Sequence, residues 1–187
     1  MKKLLILLLA SLVGSFRVGA APQKAPDPQV EKVLVIFKTH LDIGFTDLSS
    51  KVEQRYIDYY IPKAIEVARR LREEGGDERY VWTTGAWLVD AYLRQATPEA
   101  AAELEEAIRR GDIVWNGVPY TVESESMNRA LFEGILRLSQ RLDARFGKHT
   151  SAAKMTDVPG HTRSIVPLLS EAGIGFLHVG TNPAVSV

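Results

Sequence analysis

The 187-residue chain has no cysteine, so no disulfide can staple it and its stability has to come from an ordinary apolar core. It also lacks a charge excess: 23 Lys and Arg stand against 23 Asp and Glu. Without a basic surplus there is no electrostatic footprint for nucleic acid. Long hydrophobic runs are missing too. The one candidate, Leu4 to Val13, is interrupted beyond its end by Gly14, Ser15 and Arg17, too short to span a bilayer comfortably. No sequence repeat or low-complexity tract stands out. What the chain does have is 45% hydrophobic residues, enough material for a core.

Lys2-Lys3, the apolar run after them and Val18-Gly19-Ala20 are the charged, apolar and small-residue zones of a secretory signal. The expectation is export to a secreted or periplasmic location, cleavage after Ala20 and no stable membrane insertion afterwards. The mature chain would carry 20 basic and 23 acidic residues, a net charge of −3. The sequence thus divides into a signal peptide (1–20), a flexible Ala/Pro/Gln/Asp tail (21–31) and one domain (32–187).

Within that domain, apolar runs of strand length alternate with amphipathic stretches of helix length. Strands are expected at Val33 to Phe37, Tyr80 to Thr83, Ile113 to Trp115, Ala152 to Thr156 and Gly175 to Val179. A helix capped by Asp47 or Ser49 should run to Glu74, with Pro62 marking a kink or a fresh start. Further helices are expected at Trp87 to Gln95, from the Thr97 cap through Arg110, at Asn128 to Phe146 and at Thr162 to Ala172. Such alternation predicts an α/β fold with parallel strands, either a doubly wound sheet or a barrel. Five strands rarely complete a barrel, so an incomplete piece of a larger protein is expected.

Two motifs carry the chemistry. In Lys38-Thr39-His40-Leu41-Asp42-Ile43-Gly44-Phe45-Thr46-Asp47, residues 40 and 42 of an extended segment would point to one side while Leu41 packs the other way. That suits a metal; the alternative is that His40 hydrogen-bonds Asp42 or caps the next helix. In Met155-Thr156-Asp157-Val158-Pro159-Gly160-His161, Asp157 ends its strand as Asp42 ends the first, so the two carboxylates would repel each other without a cation or proton between them. Asp157 also opens good turn chemistry, which is compatible with ligation. His161 is read as a first-turn residue of the next helix rather than a ligand. His149 sits in a polar loop, and His178, inside a strand, is expected to be a packed core histidine.

His40-Leu41-Asp42-Ile43-Gly44-Phe45 resembles the His-x-Asp-x-Gly-Trp segment of glycoside hydrolase family 38, the class II α-mannosidases. Thr156-Asp157-Val158-Pro159-Gly160-His161 is similar to that family's Ile-Asp-Pro-Phe-Gly-His, and Val166 to Ile174 to its Leu-rich helix ending in Ala-Gly-Phe. The likeness runs from about Val33 onward. It implies an incomplete seven-stranded (β/α) barrel and one zinc, with His40, Asp42 and Asp157 as ligands. By the same resemblance Asp157 is also the nucleophile of a retaining α-glycosidase, α-mannosidase-like. A fourth ligand and the general acid would come from the remainder of the parent chain, and the fragment alone should not turn over substrate. Phe45 stands where the family often has Trp, and the stretch from Gly117 to Glu125 lacks the family's Trp, as in an outlying bacterial member.

The expected partner is a carbohydrate substrate, with Phe45, Asn116 and Tyr120 as candidate contacts. Glu123 and Glu125 are read as solvated loop charges, Trp82 and Trp115 as core, and Arg109 and Arg110 as helix-terminal charges. A metal-dependent carbohydrate deacetylase is an alternative, although none of the four histidines has the His-x-x-x-His spacing it would want. A non-catalytic carbohydrate-binding module on the same barrel is another.

Overall fold

The computed structural model describes Gln29, Glu31 and residues 35–182. The expected signal peptide, the start of the first strand and almost all of the tail lie outside the described residues. Everything below concerns the unit that begins at Val35.

Five parallel-paired strands alternate with helices, as the apolar pattern predicts. They are β1 (Phe37–Lys38), β2 (Trp82–Gly85), β3 (Ile113–Asn116), β4 (Ala152–Val158) and β5 (Phe176–Thr181). β1, β2 and β3 form one sheet in that order, and β4 and β5 a second, with every pairing parallel. The Gly117 amide donates to the Ala152 carbonyl at 2.9 Å, joining the exit of β3 to the start of β4. The described residues thus form two open sheets in chain order, not a closed barrel.

The helices are α1 (Ser49–Arg55), α2 (Ile61–Glu73), α3 (Ala86–Gln95), α4 (Pro98–Arg110), α5 (Arg129–Phe146) and α6 (Ile165–Glu171). Local chemistry sets their ends. The Thr97 hydroxyl accepts from the Ala100 amide and Asn128 from the Leu131 amide, satisfying donors that a helix start leaves open. Gly111 ends α4 in the left-handed region at φ 85°, which costs a residue without Cβ little. Between α1 and α2 the helix widens into a π-helical turn, Tyr56–Tyr60, just ahead of Pro62. Proline removes one amide from the ladder, and the turn absorbs the mismatch.

Alternation along the strands explains the layering. Trp82, Thr84, Ile113, Trp115, Ala153 and Met155 are buried on the face covered by helices. The first sheet packs on Ile61, Ile65, Val89, Leu104 and Ile108, and the second on Phe132, Leu136, Ile165 and Leu168. Trp82 and Trp115 are core residues as expected, and Trp115 Nε1 also donates to Asp143 at 2.9 Å. The opposite strand face is not buried. Ile36, Lys38, Thr83, Val114, Asn116, Lys154, Phe176 and His178 border an open cavity of about 430 Å³.

Three expectations are corrected here. Val35 and Ile36 are exposed, and among the described residues β1 begins only at Phe37, where pairing with Trp82 of β2 starts. His178 is exposed on the open face rather than packed in the core, since its place in the alternation is set by Leu177, which faces the helices. The last helix starts at Ile165 instead of Thr162. Residues 159–164 form a loop in which Thr162 Oγ1 accepts from the Ser164 amide, a local bond that competes with helix formation.

Candidate functional site

The site lies where β1 and β4 deliver their C-terminal ends. Lys38 closes β1, and Thr39 continues along it, its amide donating to the Thr83 carbonyl at 3.0 Å. His40 follows. Its Nδ1 lies 3.3 Å from Thr156 Oγ1, and its Nε2 lies 3.2 Å from Asp157 Oδ2. The imidazole therefore spans the gap between the two sheets.

Asp157 reaches it through a break in the strand. β4 does not end at Thr156 but runs to Val158, with a register shift: Thr156 pairs with Gly180 and Val158 with Thr181, leaving Asp157 bulged out of the ladder. Its φ is 69°, the left-handed region that few residues other than glycine enter and that Asp tolerates better than most. Bulges of this kind occur next to active sites, where they re-aim a side chain. Here the bulge turns a carboxylate toward His40.

Neighbouring groups hold the pair in place. Lys154 Nζ donates to the Thr39 carbonyl at 3.0 Å, tying β4 to the His40 segment, and burial lowers the Lys154 pKa, with the Lys38 charge adding to the effect. Tyr56, on the π-helical turn, donates its hydroxyl to the His40 carbonyl at 3.2 Å. Burial pushes the Tyr56 phenol up from its ordinary value, and Tyr60 and then the Asp42 carboxylate add in the same direction. Beside His40 a cleft of about 360 Å³ is bordered by Tyr56, Tyr60, Tyr80 and Lys63.

His40 and Asp157 are spaced as two ligands of one ion would be, because metal bonds of about 2 Å leave roughly 3 Å between ligand atoms. Asp42 is not gathered with them. Among the described residues no three His, Cys, Asp or Glu side chains are grouped closely enough to hold an ion. The described residues thus bring His40 and Asp157 into contact but do not themselves assemble the expected three-ligand set.

The expected sugar contacts fall in different places. Phe45 is 91% exposed and free to meet a ligand. Asn116 donates its amide to the Thr84 carbonyl at 3.2 Å, which commits it to the seam between β2 and β3. Tyr120 is exposed in the loop after β3.

The sequence reading missed Tyr56, Lys154, Thr156 and His161 as parts of this region. Helical spacing cannot reveal a π-helical turn, so Tyr56 carried no signal; Lys154 had one, a charge within an otherwise apolar strand. His161 is in the loop ahead of α6, with Nδ1 3.3 Å from Ser124 Oγ.

An α/β domain of parallel strands, with a histidine and a carboxylate brought together at strand ends, belongs to the class in which chemistry sits at the C-terminal edge of the sheet. The sequence profile described as "Glycosyl hydrolases family 38 N-terminal domain" matches residues 31–180, and the chain belongs to that family. The fold is similar to that in the crystal structure of 4-alpha-glucanotransferase from Thermococcus litoralis, with a TM-score of 0.56 and 16% identity over 76% of this chain. The match covers 21% of that structure, so the chain spans about a fifth of its length. No curated protein matches the sequence.

Proposed function

We propose that this chain is the exported N-terminal part of a retaining glycoside hydrolase acting on α-mannosides, with Asp157 as its nucleophile. The observation that carries the reading is the 3.2 Å approach of His40 Nε2 to Asp157 Oδ2, two residues remote in sequence that a strand bulge brings together. Family membership supplies the reaction class, and the two sheets are taken as consecutive parts of a (β/α) barrel that the rest of the parent chain completes.

In the proposed reaction the Asp157 carboxylate attacks the anomeric carbon as the bond to the departing oxygen breaks, giving a glycosyl ester. Water then cleaves that ester and frees the carboxylate. A proton for the departing oxygen would come from an acid elsewhere in the parent protein. Lys154 and Tyr56 hold the His40 segment through its backbone and so fix the imidazole against the nucleophile. One zinc ion would be held by His40 and Asp157 with Asp42 of the same motif; when bound it would orient sugar hydroxyls. Phe45 would present an exposed ring to the sugar, with Tyr120 contributing from the loop after β3.

Metal analysis of the parent enzyme tests the ligand set. One zinc per chain, lost in His40→Ala and in Asp157→Ala, is expected. Zinc content unaffected by both substitutions would remove the basis for the site.

A further inference from the structure

Ser124, His161 and Thr162 form a partly buried knot that the reaction scheme above does not use. Ser124, in a short 3-10 turn (Ser124–Ser126) of the loop between β3 and α5, is 1% exposed. Its Oγ accepts from the Thr162 amide at 3.0 Å and lies 3.3 Å from His161 Nδ1. A serine hydroxyl has one proton and two lone pairs. With the Thr162 amide donating to it, the hydroxyl proton is free to donate to His161 Nδ1. In that arrangement the ring proton sits on Nε2, which is buried without a hydrogen-bond partner among the described residues. Leaving such a group unpaired costs about 1–3 kcal/mol, so the ring is held there against a local penalty.

The knot sits on one flank of the strained residue. On the other flank, the Thr156 amide donates to Thr121 Oγ1 at 3.4 Å, from the same β3–α5 loop. Asp157, at φ 69°, thus lies between two attachments to one neighbouring loop. An unfavourable backbone conformation persists only where its surroundings over-determine it. We propose that His161 is a positioning residue for Asp157: by accepting from Ser124 it clamps the segment after β4 to the β3–α5 loop and so keeps the bulged carboxylate aimed at His40. The consequence for hydrolysis rests on the function proposed above; the clamp itself does not.

The variants His161→Ala, His161→Asn and Ser124→Ala test this. Asparagine can place an acceptor near the position of Nδ1, whereas alanine cannot. In this chain, nitrogen NMR should find a pyridine-type Nδ1 and a pyrrole-type Nε2 on His161. Asp157 should give the strong intraresidue HN–Hα NOE of a positive φ. That NOE should weaken in His161→Ala and in Ser124→Ala, and return in His161→Asn. In the parent enzyme, kcat should fall about 10–100-fold in His161→Ala with KM within about twofold, as for a misplaced reacting group. His161→Asn should recover most of the loss.

An unchanged Asp157 NOE in both His161→Ala and Ser124→Ala, or the opposite tautomer, overturns the clamp. A lost NOE with kcat unchanged overturns its role in positioning the nucleophile. If the parent hydrolyses no glycoside, the NMR results in this chain still decide the clamp, and only the function proposed above fails.

Discussion

Replacing His40 with alanine separates a functional histidine from a structural one. The substitution removes the contacts to Asp157 and to Thr156, at 3.2 and 3.3 Å. The two side chains are 41% and 47% exposed, so solvent screens their contact, and even a fully charged pair so exposed contributes only about 0.2–1 kcal/mol. The Thr156 contact, exposed and at the long end of hydrogen-bond distances, adds no more than about 0.5–1 kcal/mol. Nothing in the core is truncated, because His40 is absent from both apolar clusters. The expected loss of about 1 kcal/mol corresponds to a fall in Tm of about 2–4 °C for a domain of this size. Activity should respond quite differently. Removing a group that supports a catalytic or metal-bound carboxylate costs about 10–100-fold, and a direct ligand costs at least as much. Thermal unfolding of the variant, alongside glycoside hydrolysis by the parent enzyme carrying the same change, measures both. A loss of more than about 3 kcal/mol with hydrolysis intact would refute the reasoning and make His40 a structural residue.

Other consequences are independent of that pair. A Cβ at Gly85 would stand 2.1 Å from the Pro119 carbonyl oxygen, so Gly85→Ala should displace the loop carrying Tyr120 and cost about 1–3 kcal/mol by denaturant unfolding. Thr97→Ala deletes the α4 cap and should cost about 1 kcal/mol, read as a lower midpoint at unchanged slope. Burial lowers the His161 pKa, while Glu123 and Glu125 pull it upward more weakly. The folded state therefore binds a proton less readily than the unfolded chain, and His161 disfavours folding increasingly as pH falls through its ordinary value near 6.5. The stability of His161→Asn should decline less than that of the parent sequence between pH 7 and pH 5.

Much of this architecture is legible in the amino acids because its signals are local. The Thr97 cap, the ends of α4 at Arg110 and of α5 at Phe146 and the irregularity just ahead of Pro62 each depend on one or two residues, and each falls where the pattern puts it. Signals that depend on distant partners were lost. Val35 and Ile36 are apolar, but among the described residues pairing begins only at Phe37, where β2 lies alongside, and His178 looks like a core residue until the open face of its sheet is seen. At the site, strand-end position brought His40 and Asp157 into one hypothesis, and their side chains do approach each other across the two sheets. The bulge that aims Asp157 is a property of the β4–β5 register, which no property of residue 157 alone reveals. Asp42, two residues from His40, shares its motif but not its contact.

Trapping the reaction on Asp157 tests the account most directly. The parent enzyme would be incubated with an activated fluoro-sugar that forms a glycosyl-enzyme but hydrolyses slowly, then digested and examined by mass spectrometry. One added sugar on the peptide containing Asp157, absent in Asp157→Asn, is the predicted result. A sugar bound to another carboxylate, or none while the same preparation hydrolyses a glycoside, would contradict the assignment of the bulged aspartate as nucleophile.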